Sequence, residues 1–169
     1  MRRLGVILLH CVQNFKKTGQ RNLKRWLKQE PQSSYTKNAR HKNIIVITGS
    51  TGADESAIAY YAAFRLQKES GYQIIPVIQP VDIINYHVPG TKQVFIIDDF
   101  IGKNTIDEKD VGLWEKNGAL LNIIFSNDDD TKLILTGRTY VWQPEQYTFF
   151  DLSAYTCDLL SDQTKRDEI

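Results

Sequence analysis

The sequence predicts an α/β fold, a parallel sheet of about five strands with helices on both faces. Segments of strand and helix character alternate from residue 43 onward, which is the order typical of a parallel sheet. The predicted strands are continuous apolar runs such as Ile44–Thr48, as expected of strands that are covered on both faces. A turn with two glycines then joins the first strand directly to the first helix.

Charge divides the chain into unequal parts. Residues 1–42, called the basic head below, contain eleven Lys and Arg residues against one acidic residue, whereas residues 43–169 contain ten basic and nineteen acidic residues. A chain of this length is sufficient for one core of ordinary size. The predicted domains are the basic head at 1–42, a core at 43–161 and a polar tail at 162–169.

The basic head has the pattern of a polar helix followed by a linker. Leu23, Trp26 and Leu27 form a thin apolar stripe at helical spacing, and Lys and Arg occupy the other faces. Residues 31–41 have loop composition. The head is expected to cover one edge of the core, and the alternative is contact with nucleic acid or an anionic membrane.

The cysteines indicate a reducing compartment. Cys11 and Cys157 lie in different segments and match no CxxC or metal-ligand spacing. Met1–Val12 is basic and then apolar, but it lacks a small-residue cleavage site and is too short to span a bilayer. We therefore expect a cytoplasmic protein.

The core is predicted element by element from apolar periodicity and from the positions of Gly and Pro. The predicted strands are Ile44–Thr48, Tyr72–Ile78, Gln93–Asp99, Lys132–Thr136 and Thr148–Leu152. The predicted helices are Ser56–Glu69 and Glu108–Phe125, with a short turn or helix at Pro80–Tyr86 and a polar tail or helix at Ala154–Ile169.

The turn after the first strand has the form of a phosphate-binding loop. Such a loop follows the pattern GxxxxGK[ST], in which backbone N–H groups and a helix amino terminus face the phosphates. Gly49 and Ser56 stand in their expected places. Asp54, however, replaces the second glycine and Glu55 replaces the lysine, so the loop is degenerate.

Further polar residues are predicted at the same edge of the sheet, where the carboxyl ends of parallel strands meet. Asp98 and Asp99 end one strand, and Thr136 to Arg138 end another. For a nucleoside triphosphate, Ser56 and Asp98 would hold Mg²⁺ and Asp99 would orient the attacking water. Arg138 or Thr136 would sense the terminal phosphate.

From about Ile44 to Leu160 the chain resembles the novel STAND NTPase 3 family of P-loop NTPase domains. The segments that carry the resemblance are ITGSTGADESAIAYYAAFRL, GYQIIPVIQPVDI, QVFIIDDFIGKNTID, KLILTGR and CDLLSDQ. STAND proteins are similar to innate-immune and cell-death switches, in which ATP exchange toggles a closed monomer and an oligomeric signalling state. The family continues into a helical lid and further domains, which implies that this chain is a fragment, a truncated product or an isolated module.

The resemblance implies a site for ATP or ADP with Mg²⁺, with flanking domains or other signalling proteins as partners and with self-association. It implies Asp98 as the magnesium carboxylate, Asp99 as the catalytic acid of an active enzyme and Arg138 as a sensor. The implied nucleotide-binding residues are Gly49, Ser50, Thr51, Gly52, Ala53, Asp54, Glu55, Ser56, Ala57 and Arg138, and the implied metal ligands are Ser56 and Asp98.

The degenerate loop leaves several functions open. With Glu55 in place of the lysine, we expect a regulatory or scaffold module that does not hydrolyse nucleotide. One alternative is an active ATPase that uses Arg138 or Lys103 as a substitute cation. Another is a binding module whose basic head contacts nucleic acid or an anionic membrane.

Overall fold

The computed structural model describes residues 43–49, 53–143, 146–147 and 155–158, and for 53–54 and 155–158 it describes the backbone alone. The basic head, the predicted strand at 148–152 and the predicted tail at 162–169 lie outside these residues. The described elements are the strands β1 (Ile44–Gly49), β2 (Gln73–Pro76), β3 (Gln93–Ile97), β4 (Thr131–Arg138) and β5 (Tyr155–Asp158), and the helices α1 (Ala53–Ser70), α2 (Pro80–Tyr86) and α3 (Glu108–Asn127).

The five strands form one parallel sheet in the order β2-β3-β4-β1-β5. β4 therefore lies between β1 and β3 although it comes later in the chain. This order places the end of β1 two strands away from the end of β3, with the end of β4 between them. The predicted parallel α/β architecture is confirmed.

The sheet is covered on both faces. On one face, Ile45, Ile47 and Ile96 pack in a cluster with the small residues of α1, including Ala59 and Ala62. Small side chains allow the helix to lie close to the sheet. On the other face, Val46, Phe95 and Leu133 pack in a cluster with Ile83 of α2 and with Trp114 and Phe125 of α3.

Local chemistry explains where the helices begin. Asp107 accepts a hydrogen bond from the backbone N–H of Lys109 (2.9 Å) and caps the amino end of α3. α1 begins at Ala53, three residues before the predicted start, so Asp54 and Glu55 lie in its first turn. Acidic residues are favourable at that position because the amino end of a helix carries partial positive charge.

Two further predictions require correction. β3 ends at Ile97, before the two aspartates, because Asp99 adopts a left-handed backbone conformation (φ 49°) that leaves the strand. The prediction of a polar tail or helix at Ala154–Ile169 is wrong at Tyr155–Asp158, which is strand β5. It pairs with β1 from Ile45 to Thr48. Pairing with a neighbouring strand determined this element more than its local propensity did.

Across the described ranges, no helix is long and apolar enough to cross a membrane.

Candidate functional site

Three neighbouring strands end together at the carboxyl edge of the sheet. In the pairing of β1 with β4, Thr48 lies opposite Gly137 and Gly49 lies opposite Arg138. β4 also pairs with β3, which ends at Ile97 and is followed by Asp98 and Asp99. The structure thus brings the start of the glycine turn, the two carboxylates and Arg138 to one edge.

The turn that follows β3 is fixed by Thr136 of β4. The buried Thr136 hydroxyl donates to Oδ1 of Asp98 (3.0 Å) and accepts from the backbone N–H of Asp99 (3.1 Å). The backbone carbonyl of Thr136 accepts from the N–H of Phe100 (3.2 Å). Both carboxylates are therefore positioned by the neighbouring strand, and the Asp98 side chain itself is exposed.

Trp114 anchors the same turn from the helical layer. Its indole Nε1–H donates to the carbonyl of Phe100 (2.8 Å), and its ring packs edge-on against that of Phe100 with the centroids 5.7 Å apart. The turn then requires a glycine at Gly102. Its φ is +117°, and a Cβ there would lie 2.1 Å from the carbonyl oxygen of Thr105.

Asp99 lies in a mixed electrostatic environment. Burial raises the pKa of its carboxyl group above the ordinary value of 3.8 and Asp98 raises this pKa further, while Arg138 and Lys103 oppose the shift. Arg138 is held in place in part by its Nε–H, which donates to the carbonyl of Lys103 (3.2 Å). A partly buried carboxyl with a raised pKa beside cationic side chains is the kind of group that can accept a proton from water.

This pKa direction gives a stability prediction for Asp99→Asn. The folded state raises the pKa of Asp99, so between pH 3.8 and the raised pKa the native protein binds more protons than the unfolded protein. The free energy of unfolding therefore falls as pH rises through that window. Asparagine carries no charge and tolerates the left-handed conformation. We expect the variant to be more stable than the natural chain at pH 7, with a smaller difference near pH 4.

The measurement is urea unfolding at several pH values, with the exposed Glu115→Gln as the control for loss of one carboxylate. A less stable Asp99→Asn variant at pH 7 would contradict the burial of an ionised Asp99.

Sequence reasoning missed Tyr60 as a neighbour of this site. Burial first and the charge of Asp98 second raise the pKa of its hydroxyl, so α1 places Tyr60 close to the exposed carboxylate. The signal was present in the sequence, since Tyr60 follows Ser56 by four residues and therefore lies on the same helix face.

Glu55 lies inside the turn between β1 and α1. Its side chain is only 2% exposed. A Cβ built on Gly49 would lie 2.6 Å from Oε1 of Glu55, so the carboxylate packs directly against the glycine backbone at the end of β1. Glycine at position 49 makes room for this carboxylate. The residue that replaces the loop lysine thus points back toward the strand end.

The predicted metal ligands suit Mg²⁺ in their chemistry, whereas Glu55 does not suit a triphosphate. The Ser56 hydroxyl lies in the first turns of α1 and Asp98 has an exposed carboxylate, which are oxygen ligands of the kind Mg²⁺ prefers. Within the described part of the chain no three His, Cys, Asp or Glu side chains converge, so an ion here would depend on oxygens of the nucleotide. In the predicted phosphate loop, an ionised Glu55 would present negative charge where phosphate oxygens would need positive charge. Residues 50–52 lie outside the described ranges.

Comparison with known families identifies the family of the chain. The family model described as Novel STAND NTPase 3 matches residues 31–168, which is most of the chain. The chain belongs to the novel STAND NTPase 3 family. No curated protein matches it.

The match to the STAND NTPase 3 family covers the whole shared edge of the sheet. The matched range contains the glycine turn, the Asp98–Asp99 turn and the end of β4. It begins at residue 31, so the amino-terminal three quarters of the basic head falls outside it. The individual ligand roles of the residues named above remain predictions.

Proposed function

We propose that this chain is the nucleotide-binding core of a STAND-type regulatory or scaffold module in a signalling protein of the innate-immune kind. It binds ADP or ATP with Mg²⁺ weakly and does not hydrolyse ATP. The observation that carries the proposal is the buried Glu55 carboxylate against Gly49, at the carboxyl edge that also holds Asp98 and Arg138.

The residues of this edge have separate roles in the proposal. Ser56 and Asp98 would hold a magnesium ion, which would offset the negative charge of the phosphates. Arg138 would supply positive charge toward the terminal phosphate. Burial and the neighbouring Asp98 raise the pKa of Asp99, and this carboxyl would orient water in an active relative.

Loss of hydrolysis follows from the charge at position 55. In phosphoryl transfer the loop lysine contacts the β and γ phosphates and stabilises charge as the bond breaks. A buried carboxylate in its place repels that charge and cannot donate a hydrogen bond while ionised. The scaffold does not depend on the lysine, because the sheet and both helical layers are assembled from apolar residues.

Calorimetric titration of the full chain with Mg-ADP and with Mg-ATP tests the proposal. We expect weak binding and no release of phosphate from ATP. Ser56→Ala is expected to lower the affinity by about tenfold or more, because a hydrogen bond or ligand bond to a charged group is worth about 1.5–3 kcal/mol. The control is Ser126→Ala, an exposed serine on α3 far along the chain from the turn.

Two results would contradict the proposal. The absence of any heat up to millimolar nucleotide would remove nucleotide binding and leave only a scaffold. Phosphate release that is abolished by Asp99→Asn would instead show an active ATPase that uses a substitute cation.

A further inference from the structure

A groove lies at the opposite edge of the sheet from the candidate nucleotide site. It has a volume of about 420 Å³ and is lined by His87, Pro89, Ile123, Ile124 and the acidic run Asp128–Asp130. These residues come from the turn before β3 and from the end of α3, so the groove lies at the amino edge of β3 and β4.

The groove combines an apolar wall with an acidic end. Ile123 of the groove is 57% exposed, and Leu120, which lies beside the groove one turn earlier on α3, is 54% exposed. Such large apolar side chains, neighbours on one helix face, are unusual on a surface that meets only water. The acidic end has three consecutive aspartates, whose charges act on the neighbouring Lys132.

The acidic end is built as a fixed structure. Asp128 Oδ2 lies 2.9 Å from Nε2 of His87 and accepts from the Thr131 hydroxyl (3.0 Å), and Asp128 Oδ1 accepts from the N–H of Asp130 (3.0 Å). These bonds join the turn before β3 to the turn before β4. They hold the carboxylate run beside the apolar wall.

The point where the basic head joins the core touches this groove. Asn43, the first described residue, donates from its side-chain amide to the carbonyls of Phe125 (3.0 Å) and Asp128 (3.5 Å) at the end of α3. Its Oδ1 accepts from Lys132 Nζ (2.6 Å). The head therefore leaves the core next to the acidic run.

We propose that the groove is a docking site for the basic head of the same chain. The apolar stripe of Leu23, Trp26 and Leu27 would pack on Leu120 and Ile123, and the surrounding Lys and Arg residues would face Asp129 and Asp130. The eleven basic residues of the head complement the acidic run in charge. This interaction is independent of nucleotide binding at the opposite edge.

The linker is long enough for this contact. Residues 31–42 are twelve residues, which span up to about 40 Å when extended, since each residue contributes about 3.3–3.6 Å. A tethered segment also experiences an effective concentration of about millimolar, so modest pairwise contacts are sufficient to keep it docked.

Carbodiimide cross-linking of the full chain, read by mass spectrometry, tests the proposal. We expect lysines of the head, Lys16, Lys17, Lys24 and Lys28, to couple to Asp129 or Asp130. We expect no coupling to Glu108 or Glu115, which are exposed on α3 but lie toward its other end. Mixing isotope-labelled and unlabelled protein distinguishes coupling within one chain from coupling between chains.

Charge-reversal and serine variants distinguish docking of the basic head in the groove from general attraction between opposite charges. Asp129→Lys is expected to lower the yield of these cross-links by about tenfold, the change that 1.4 kcal/mol produces, while the matched reversal Glu115→Lys leaves it unchanged. Replacing Leu23, Trp26 and Leu27 together by serine is expected to lower the yield and to speed amide hydrogen exchange at residues 120–130.

Three outcomes would overturn the proposal. Cross-links that form only between chains would assign the groove to a second copy. Equal coupling to Glu115 and Asp129 would show that the basic head is attracted to acidic side chains in general and does not bind a specific site. Unchanged hydrogen exchange in the serine variant, together with steeply salt-dependent binding of the head to RNA, DNA or anionic vesicles, would assign the head to an outside partner.

Discussion

Replacing Asp54 by glycine and Glu55 by lysine is expected to raise the affinity for Mg-ADP and Mg-ATP by several orders of magnitude. Two unit charges about 4 Å apart interact by on the order of 4 kcal/mol at an effective dielectric of about 20. In the proposed site the natural chain lacks this attraction at position 55 and would have a similar repulsion in its place. Since about 1.4 kcal/mol corresponds to a tenfold change, even half of this difference is several decades.

Calorimetric titration and ligand-dependent thermal unfolding measure the effect. Lysine at the buried position 55 is expected to destabilise the free protein, and nucleotide is expected to restore stability in proportion to the logarithm of its concentration. Glu115→Lys makes the same charge reversal on the exposed face of α3 and is the matched control. A double variant that folds but still does not bind nucleotide would show that the site is assigned to the wrong residues.

Trp114→Ala is expected to cost about 3–5 kcal/mol of unfolding free energy, which is the usual range for removing a large buried aromatic side chain. Trp114 is 1% exposed and packs against Phe100. The substitution also leaves the buried carbonyl of Phe100 without the indole N–H that it accepts from. Because Phe100 follows Asp98 and Asp99 directly, the carboxylate turn should loosen as well.

Urea unfolding followed by circular dichroism measures this loss of stability. Trp114→Phe keeps most of the ring and removes the hydrogen bond, so we expect an intermediate loss of about 1–3 kcal/mol. Leu120→Ala on the same helix is the surface control, because Leu120 is 54% exposed. Equal losses for Trp114→Ala and Leu120→Ala would contradict the anchoring role of the indole.

The parallel sheet and its site edge could be predicted from the sequence because strong local signals coincided there. β1 and β3 are continuous apolar runs, and each is followed by polar residues of a distinct kind. In a parallel sheet these strand ends must share one edge, so the placement of Gly49, Asp98 and Arg138 at the same edge follows from fold class alone.

Features that depend on tertiary pairing could not be predicted. The fifth strand lies at Tyr155–Asp158 because that segment pairs with β1, although its sequence has polar character. The position of β4 between β1 and β3 is likewise a property of the sheet order. Local periodicity carries no information about which strand will be the neighbour.

The position of the Glu55 side chain could not be predicted from the sequence either. The motif shows that a carboxylate replaces a lysine, but it does not show whether the side chain points to solvent or into the turn. The structure shows it buried against Gly49. The His87 and Asp128 pair is similar, because these residues lie 41 positions apart and meet only in the folded chain.

We propose above all that the carboxylate of Glu55 weakens nucleotide binding by its charge. Glu55→Gln tests this claim most directly, because it removes the charge and keeps the size and shape of the side chain. The measurement is the dissociation constant for Mg-ADP, compared with that of the natural chain under the same conditions. Removal of the negative charge is expected to tighten binding by about tenfold to a hundredfold, equivalent to about 1.4–2.8 kcal/mol. An unchanged dissociation constant in a variant with unchanged thermal stability would contradict the claim.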